Sequence, residues 1–388
     1  MRVQKHNLIT PMHILELPSF FPPHGGLFCL EQAKALKARG HEVRIIACTQ
    51  LGVSIDKGAY FTAERGFWHK EMQGIEVYGH YQHDMPKMVR RNTERWLRTV
   101  EEMFKAYKHE HGLPDIIHAH CCKLAGIAAK RIAEREGVPY VITEHLPSEL
   151  YIKDFGVGWT RHQWLRTMMC EAYRSAKCVV PVAEELVQDT AQFFGSNYPY
   201  HAISNIIDTG FFAFREREPL EGRPFRFACL AIADVHRKGY DVLAEAWHNV
   251  RDCELHIAGQ GTEAEAFKRL FANCEGVYFH GSLDKEGVRS LLYESDGLVL
   301  ASRSEAQPLV LLEAMSTGIP VVATDITPQS ERIAGACLIA ETGSAASLAE
   351  QMNRCRFIVP SMPFHNAICA LSSPETVGQQ LEEIFLSK

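Results

Sequence analysis

The stretch Ser302–Thr324, SRSEAQPLVLLEAMSTGIPVVAT, decides how the rest of the chain is arranged. Apolar runs on either side of it, Gly297–Ala301 and Ile319–Ala323, predict two buried strands. Between them Pro308 suits the first position of a helix, where its missing N–H would have had no partner, and Gly318 suits a left-handed helix end. The stretch therefore predicts a strand-loop-helix-strand unit of an α/β sheet.

Two glutamates stand at different places in this unit, Glu305 in the loop and Glu313 inside the helix. A carboxylate in the apolar run around Glu313 is costly to bury unless a polar group meets it. In an open α/β sheet ligands bind beyond the carboxyl ends of the strands, and the N–H groups at a helix start, here near Ala306 and Gln307, attract phosphate. A phosphate site beside a carboxylate that accepts bonds from a diol predicts a nucleotide. The alternative is an ordinary α/β unit with two solvated glutamates.

The length of 388 residues predicts two domains of roughly 150 to 200 residues each. Hydrophobic residues make up 46% of the chain and charged residues 23%, as in an ordinary globular enzyme. No apolar run approaches the roughly 18 residues that span a bilayer, and the first residues do not read as a signal peptide. Twelve cysteines without a regular framework are typical of reduced thiols in a cytoplasm.

The net charge of −6 is unevenly spread. Through Asn205 the chain has 25 Lys and Arg against 22 Asp and Glu, and the remainder has 16 against 25. An acidic second half argues against a nucleic acid as a general partner. The mildly basic first half is suited to facing an anionic group.

The first half opens with a strand, His13–Leu17, and a helix that starts near Leu27. Between them Gly25 and Gly26 would allow the backbone to approach a phosphate closely, although paired glycines are common in turns.

Two later strands of the first half lead into histidines: one ends at His120, and the next runs into His145. The ends of parallel strands share one edge of a sheet. For these two histidines a site role and a structural role are both open, whereas His118 is expected to be a hydrogen-bonded core residue. Zinc ligation by His118, His120 and the adjacent Cys121 and Cys122 is disfavoured, because neighbouring cysteines rarely chelate one ion.

A basic segment, Lys87–Lys108, predicts an amphipathic helix. Its apolar face would consist of Val89, Leu97, Val100, Phe104 and Tyr107, and its arginines are Arg90, Arg91, Arg95 and Arg98. Such a helix either packs on its own sheet with a solvated basic face or contacts an anionic membrane surface.

A second α/β series follows a hinge predicted at residues 201–214 and starts with a strand at Arg226. Lys238 stands in a loop before a helix and suits a phosphate. The segment GQGTEA, residues 259–264, matches a dinucleotide fingerprint, but it follows the second strand of its series instead of the first. Residues 360–371 look irregular, and a last helix, residues 374–386, is expected to cross back to the first domain.

In this order the motifs HGGLFCLEQAKALKARGHEV, PDIIHAH, YVITEH, ISNIIDTGFF, RKGYDVLAEA, LHIAGQG, VYFHGSL and SEAQPLVLLEAMSTGIPVVATD resemble the landmarks of the retaining GT-B glycosyltransferases of family 4. The resemblance implies an α/β fold of two Rossmann-like domains that face each other across a cleft. The acceptor-side domain would comprise residues 1–204 with 372–388, and the nucleotide-sugar domain residues 205–371.

The implied activity is metal-independent, cofactor-free transfer of a sugar, with retention, from a UDP-sugar or GDP-sugar. The acceptor would be a saccharide, a lipid-linked saccharide or a small molecule in cell-surface polysaccharide or glycoconjugate synthesis. The protein is expected in the cytoplasm, with a peripheral contact at the inner face of the membrane.

By the same resemblance Glu313 matches the acid on the ribose, Glu305 the acid near the donor sugar, and Lys238 the lysine on the diphosphate. The family's usual arginine is replaced by Ile232 and Ala233, so that Arg237 or His236 would substitute for it. The set expected in catalysis is Glu305, His120 and Lys238, with His120 and His145 on the acceptor side. The remaining residues expected on the nucleotide sugar are Gly25, Gly26, Arg237, Gly281, Ala306, Gln307, Pro308 and Leu309.

Two alternatives to an active glycosyltransferase stay open. GQGTEA alone would suit a nicotinamide-dependent dehydrogenase. The replaced arginine would suit a catalytically degenerate nucleotide-binding protein of the same fold.

Overall fold

The computed structural model describes residues 10–22, 25–52, 57–156, 160–217, 222–333 and 335–387. The chain divides into two compact units: Met1–Ile206 together with Val377–Lys388, and Ile207–Thr376. Each unit is an α/β layer structure with its own sheet.

The sheet of the first unit is parallel except for one edge strand, β3, which runs antiparallel to its neighbour β4. The strands lie in the order β3-β4-β2-β1-β5-β6-β7. Their bounds are β1 His13–Pro18, β2 Glu42–Leu51, β3 Phe67–Met72, β4 Ile75–His83, β5 Ile116–His120, β6 Tyr140–Glu144 and β7 Cys178–Pro181.

The helices of the first unit, except the one at Lys57–Thr62, have apolar faces that bury against this sheet. Among the described residues they are α1 Leu27–Ala38, α2 Lys57–Thr62, α3 Val89–His111, α4 Ile127–Glu136, α5 Ser148–Phe155, α6 Gln163–Ser175 and α7 Glu185–Phe194. A short π-helical turn, Cys122–Gly126, leads into α4.

Helix α3 shows how its sequence pattern works. Leu97, Val100, Phe104 and Tyr107 are buried as their spacing predicts, and the structure adds Trp96, whose indole donates to the carbonyl of Cys48. Val89 was expected on the same face, but it lies at the exposed first position of the helix. The apolar face is therefore used for packing within the unit.

The sheet of the second unit is fully parallel, in the order β10-β9-β8-β11-β12-β13. Its strands are β8 Phe225–Leu230, β9 Cys253–Ala258, β10 Val277–Gly281, β11 Gly297–Leu300, β12 Val321–Thr324 and β13 Cys337–Ala340. The helices described are α8 Tyr240–Trp247, α9 Glu265–Lys268, α10 Lys285–Glu294, α11 Leu309–Ser316, α12 Ala345–Cys355 and α13 Met362–Ser372.

Helix α13 corrects the expectation of an irregular segment at residues 360–371. Only Phe364 and Ile368, four residues apart, supply a buried apolar stripe in its first two turns, so the periodicity in the sequence is faint. Packing on the neighbouring α11 completes the burial.

The last helix, α14, spans Pro374–Leu386. From Val377 onward it belongs to the first unit, where Val377, Leu381 and Phe385 are buried in the core with residues of α1, β1 and β2. Glu382 on the same helix accepts hydrogen bonds from Arg39 and from His41.

The deciding stretch folds as the predicted strand-loop-helix-strand unit, β11-α11-β12. Pro308 lies one residue earlier than expected, as the extended residue before the helix, because its carbonyl accepts the bond from Leu311. Gly318 is left-handed, with φ 92°, and its N–H donates to Met315. A β-carbon there would meet Phe214 at 2.5 Å.

Each sheet has one point at which the strand order reverses. In the first unit it lies between β1 and β5, and in the second between β8 and β11. Loops that follow such strands splay apart at the carboxyl edge and form the ligand crevice of open α/β sheets. The loops after β1, β5, β8 and β11 therefore border the expected crevice of each sheet.

Candidate functional site

The loops after β8 and β11 are joined by the side chains of Lys238 and Glu305. The ammonium group of Lys238 donates to Oε1 of Glu305, and the hydroxyl of Ser302 donates to the same oxygen at 2.7 Å. Both charged side chains are largely buried, with 14% and 11% of their surface exposed. Two residues 67 positions apart thus form one polar centre at the switch point of the second sheet.

The loop that carries Lys238 is held in place by a close backbone approach. Gly239 is left-handed, with φ 66°, and a β-carbon on it would lie 1.8 Å from the carbonyl oxygen of Ala301. Only glycine therefore allows the two switch-point loops to touch here.

Arg303 braces the same loops and was missed by the sequence analysis. Its guanidinium donates to both carboxylate oxygens of Asp241, at 2.7 and 2.8 Å, and to the carbonyl of His236 at 2.7 Å. In the sequence it stands between Ser302 and Glu305 with no periodic signal, and its partner is 62 residues away.

On sequence grounds, Arg237 or His236 is expected to substitute for the family arginine. The Nε atom of Arg237 donates to Asp234 at 3.0 Å, so the guanidinium is engaged within its own turn. Ile232, at the usual arginine position, is 45% exposed.

Glu313 lies at a cavity of about 230 Å³ on the carboxyl side of the same sheet. The other residues of this Glu313 cavity are Leu230, Ala231, Ile232, Ala258, Gly259, Leu283, Val288 and Val310. Among the described residues the Glu313 carboxylate has no hydrogen-bond partner, and burial raises its pKa to about 7 against the opposing charge of Lys285. A hydroxyl-bearing ligand in this cavity would supply the missing donors.

The GQGTEA segment does not form a dinucleotide loop. The helix after it, α9, has only four residues and cannot present the N-terminus that such a fingerprint needs. Gly259 instead permits a tight contact, because a β-carbon there would lie 1.9 Å from the carbonyl of Ala231 at the edge of the Glu313 cavity. Gly281, left-handed with φ 66°, accepts a hydrogen bond from Gly259 at 2.7 Å.

The start of α11 lies directly after Glu305. Ala306 is half-buried, Gln307 is buried and Leu309 is exposed, and Pro308 precedes the helix. Their backbone runs from the Lys238–Glu305 centre to the Glu313 cavity, since Val310 and Glu313 on the first turns line that cavity.

In the first unit, a buried carboxylate contacts the two histidines of β5. Glu16 on β1 accepts a hydrogen bond from Nε2 of His120 at 2.7 Å and lies 3.0 Å from Nδ1 of His118. His118 also meets the hydroxyl of Thr143 at 2.7 Å, which is the hydrogen-bonded core role expected for it. All three charged or titratable groups are essentially without exposure.

The pKa values in this cluster diverge. Burial opposes ionisation of Glu16, but the charge of His118 and the bonds from both histidines lower its pKa to about 2. Burial and then the charge of His118 lower the pKa of His120 to about 4. His120 is therefore neutral at pH 7, with its Nε2 proton committed to Glu16.

Glu16 was also missed by the sequence analysis, although a lone acid in the apolar strand HILELP was a usable signal. Among the described residues, one group of side chains has ligand atoms close enough to surround a metal ion, and it consists of Glu16, His118 and His120. The adjacent cysteines considered in the sequence analysis do not belong to this group. The ligand atoms of the group already satisfy one another by hydrogen bonds.

His145 forms the outer part of the cluster. Its Nε2 lies 3.4 Å from Nδ1 of His120, and its ring stacks on Phe28 with centroids 3.6 Å apart. Its backbone N–H donates to Glu144 at 2.9 Å, which fixes the turn after β6. Burial, and then His120 and His118, lower the pKa of His145.

Gly25 and Gly26 belong to the loop after β1, next to α1. Both are left-handed, and a β-carbon on Gly26 would lie 2.2 Å from the carbonyl of Phe20. Gly26 is buried and precedes the first residue of α1, whereas Gly25 is exposed.

Within each unit, therefore, the structure groups most of the predicted site residues. Lys238, Glu305 and the start of α11 form one centre, with Glu313 in the adjacent cavity, and His120 and His145 form another with Glu16. Arg237 is engaged by Asp234.

Two family models match the chain. One, described as Glycosyltransferase Family 4, matches residues 25–211, and the other, described as Glycosyl transferases group 1, matches residues 226–356. With two parallel-sheet α/β units and these matches, the chain belongs to the GT-B glycosyltransferases of family 4. The sequence-based predictions of fold class and of a glycosyltransferase are confirmed.

Among individual relatives, the chain is similar to the teichuronic acid biosynthesis glycosyltransferase TuaC of Bacillus subtilis. The two are 25% identical over 363 residues, which cover 88% of this chain and 89% of TuaC. Sulfoquinovosyl transferase SQD2 of Arabidopsis thaliana is 25% identical over 56% of this chain and 45% of its own length.

Solved structures show the same fold. Sucrose-phosphate synthase of Thermosynechococcus elongatus superposes with a TM-score of 0.74 at 16% identity, over 96% of this chain and 98% of its own. Alr3699/HepE of Anabaena, solved in complex with UDP, gives a TM-score of 0.68 at 18% identity, over 96% and 99% of the two chains.

No helix among the described residues has both the length and the apolar character that crossing a membrane requires.

Proposed function

We propose that this glycosyltransferase moves a sugar from a nucleoside-diphosphate sugar, with retention and without a metal ion, to a saccharide-containing acceptor of a cell-surface polysaccharide or glycoconjugate. The observation that carries the proposal is the Lys238–Glu305 centre at the switch point of the second sheet, next to the Glu313 cavity. A cation, a helix start and an unpaired carboxylate in a row suit the diphosphate and ribose of one nucleotide.

In the proposed donor complex each group has a defined task. Glu313 accepts hydrogen bonds from the ribose hydroxyls, which supply the donors that its carboxylate lacks among the described residues. Lys238 and the N–H groups at the start of α11 bind the diphosphate. Glu305 binds hydroxyls of the donor sugar. The hydroxyl of Ser302 orients the Glu305 carboxylate by donating to its Oε1.

Breaking the anomeric bond builds negative charge on the leaving diphosphate, and Lys238 would stabilise that charge in a largely dry site. A leaving phosphate oxygen takes the proton of the acceptor hydroxyl on the same face of the sugar. The bond from the anomeric carbon to phosphate breaks as the bond to the acceptor oxygen forms, so that configuration is retained.

UDP is the nucleotide favoured for the donor, ahead of GDP. HepE, which shares this fold, has been solved with UDP and with UDP-glucose. The Glu313 cavity, about 230 Å³ in volume, suits a small base and a ribose.

The first unit is assigned the acceptor. His145 is the half-buried member of its histidine cluster, and His120 orients it from behind while Glu16 holds His120. The relative TuaC is named for biosynthesis of teichuronic acid, which favours a polysaccharide acceptor.

The basic surface of α3 is proposed as a peripheral contact with an anionic membrane. Arg90, Arg91 and Arg98 are exposed, while the apolar face of the helix is buried within the unit. The contact would therefore be electrostatic, without insertion of the helix.

A second candidate is a degenerate member that binds nucleotide but does not transfer sugar. It is favoured by one observation, namely that Ile232 and Ala233 replace the family arginine while Arg237 is engaged by Asp234. Diphosphate binding would then depend on Lys238 alone among the side chains of these loops.

The test is a thermal-shift screen of the intact protein against UDP, GDP, ADP and their common sugars, followed by donor-hydrolysis assays. We expect UDP to raise the melting temperature. A ligand at a concentration one hundred times its Kd stabilises the folded protein by about 2.7 kcal/mol. Slow release of free sugar from one UDP-sugar would support an enzyme. Binding without hydrolysis would favour the degenerate candidate, and no response to any nucleotide would refute both.

A further inference from the structure

A second pocket lies in the first unit, away from the histidine cluster. It has a volume of about 360 Å³ and opens at the carboxyl end of β4, between α2 and the start of α3. The lining of this β4 pocket includes Tyr60, Phe61, Arg65, His80, His83 and Arg95. The established family activity assigns no role to them.

The aromatic rings of the pocket form a connected wall. The Tyr60 ring meets Phe61 edge-on at 5.3 Å and His83 edge-on at 5.1 Å. Phe61 is 69% exposed, which is unusual for a large apolar ring unless something covers it. A flat, partly apolar ring such as the face of a sugar suits this wall.

Two arginines line the pocket, and Arg65 gives it a positive charge that no carboxylate compensates among the described residues. Arg65 is exposed and has no ion pair within the described ranges of the chain. The Nη2 atom of Arg95 donates to the carbonyl of His83 and forms an ion pair with Asp84 at 3.4 Å. Its Nε is buried and has no acceptor among the residues that the structure describes. The Arg95 side chain as a whole is 35% exposed, so a ligand in the pocket can contact it.

The acids near the pocket are already engaged. Asp84 accepts hydrogen bonds from the side chains of Gln50 at 2.8 Å and Gln82 at 2.7 Å, and Glu64 pairs with Lys70 at 3.3 Å. The Nδ1 atom of His80 lies 2.9 Å from the carbonyl of Gly66. The pocket therefore offers the unpaired Arg65 and the partly exposed Arg95 to an incoming anion, and its described lining residues include no carboxylate.

We propose that the β4 pocket binds an anionic sugar unit of the acceptor, in which a carboxylate or phosphate meets Arg65 and Arg95 and the ring lies on Tyr60 and Phe61. This inference rests on the proposed function, since it names the class of acceptor. An arginine fork matches either anion in two-point fashion, and charge-assisted bonds of this kind are the strong ones.

The position in the sheet indicates which sugar would be bound. β4 is three strands from β5, whose end carries His120, and all the strands between them are parallel and share the carboxyl edge. At the usual strand spacing this is a separation of about 14 Å. The pocket would therefore hold a sugar other than the one that receives the donor, so the acceptor would be an oligosaccharide with anionic units.

The experiment measures binding of four probes to the full chain by saturation-transfer NMR and calorimetry: glucuronate, glucose 6-phosphate, glucose and inorganic phosphate. We expect one or both anionic sugars to bind at least tenfold more tightly than glucose and than phosphate. Preference for glucuronate would identify a carboxylate sugar, and preference for glucose 6-phosphate a phosphorylated one.

Arg65→Gln is expected to abolish the preference for anionic sugars over glucose. Phe61→Ala is expected to lower the affinity for the anionic sugars and for glucose alike. Arg269→Gln, an exposed arginine of the second unit, should leave all four affinities unchanged. Equal binding of glucose and the anionic sugars would overturn the proposal, and so would phosphate binding as tightly as the anionic sugars. Loss of UDP binding in the unaltered protein would instead refute the proposed function, because that nucleotide is assigned to the second unit.

Discussion

Lys238 and Glu305, which lie on two different loops of the second sheet, form an ion pair whose carboxylate is also held by Ser302. In the proposed donor complex the same lysine meets the diphosphate. Lys238→Ala is expected to weaken UDP binding roughly 10- to 100-fold, because a charge-assisted bond contributes about 1.5 to 3 kcal/mol. Isothermal titration measures this, with uridine as the comparison ligand.

Uridine lacks the diphosphate, so its affinity should be unchanged in Lys238→Ala. Glu305→Gln should leave UDP affinity equal or raised, because it frees the lysine, while sugar transfer falls. If uridine lost as much affinity as UDP, Lys238 would not be the diphosphate ligand.

The raised pKa of Glu313 predicts a pH-dependent affinity. The ionised carboxylate is the form that accepts two ribose bonds, and with a pKa of about 7 its fraction rises roughly tenfold between pH 6 and pH 8. Uridine affinity should rise by nearly the same factor over this range. Titration calorimetry at several pH values provides the measurement.

Glu313→Gln is the matched control, with weaker binding and a flat pH profile. The pKa of Glu313 is higher in the folded protein than in the unfolded chain, so ionising this carboxyl group lowers the free energy of unfolding. This loss is absent at low pH and develops as the pH rises through about 7. Glu313→Gln should therefore melt a few degrees higher at pH 8. Lys285→Met should shift the pH midpoint of uridine binding upward, because the charge of Lys285 lowers the pKa of Glu313. A midpoint that stayed at the same pH would contradict the electrostatic account.

His120 is expected to affect transfer but not donor binding, since it belongs to the first unit. His120→Ala should lower the transfer rate roughly a hundredfold, as for loss of a positioned polar group, and leave UDP affinity unchanged. Both quantities are measured in the same variant with a matched acceptor.

Removal of the imidazole also leaves Glu16 without one of its donors, at a cost of about 1 to 3 kcal/mol in the free energy of unfolding. His120→Asn retains a donor and separates this loss from the effect on transfer. Intact transfer in a folded His120→Ala variant, or a parallel fall in UDP affinity, would show that the assignment of tasks to the units is wrong.

Gly239 is predicted to tolerate no side chain. Gly239→Ala combines a left-handed backbone with a contact of 1.8 Å to the carbonyl of Ala301, so about 2 to 5 kcal/mol of unfolding free energy should be lost. UDP affinity should fall with it, because Lys238 is the preceding residue. Urea denaturation gives the stability.

Gly343 offers the control, since it is also left-handed but has nothing within 4 Å of an added β-carbon. Gly343→Ala should therefore lose only the backbone share, about 1 to 2 kcal/mol. Equal losses in the two variants would mean that the loop contact is relieved by movement.

The basic surface of α3 predicts salt-dependent membrane binding. Sedimentation with anionic vesicles should fall as salt rises, because the screening length shortens to about 10 Å at 0.1 M. Changing Arg90, Arg91 and Arg98 together to Glu should abolish pelleting, and changing three exposed lysines or arginines of the second unit should not. Absence of pelleting at low salt would leave the arginines as a solvated face.

Much of the fold follows from local patterns. Short apolar runs bounded by helix starts and stops predicted strands and helices in both α/β series, because burial on both faces of a parallel sheet demands such runs. The faint pattern of α13 was missed, since its helix is completed by packing on α11. The candidate site residues were proposed where a costly residue stood in an apolar setting, as Glu313 does, or where a strand led into a histidine.

The sequence by itself determined the class of fold and the residue types at the carboxyl edges of the strands, because these depend on periodicity and on turn chemistry near in the chain. Only the tertiary structure decided the pairings: Lys238 with Glu305, Arg303 with Asp241, and Glu16 with His118 and His120. These partners are 62 to 104 residues apart, and which of them meet is set by the strand order. The charge states follow the same rule, since the pKa values of Glu16 and Glu313 move in opposite directions according to whether buried donors surround the carboxylate.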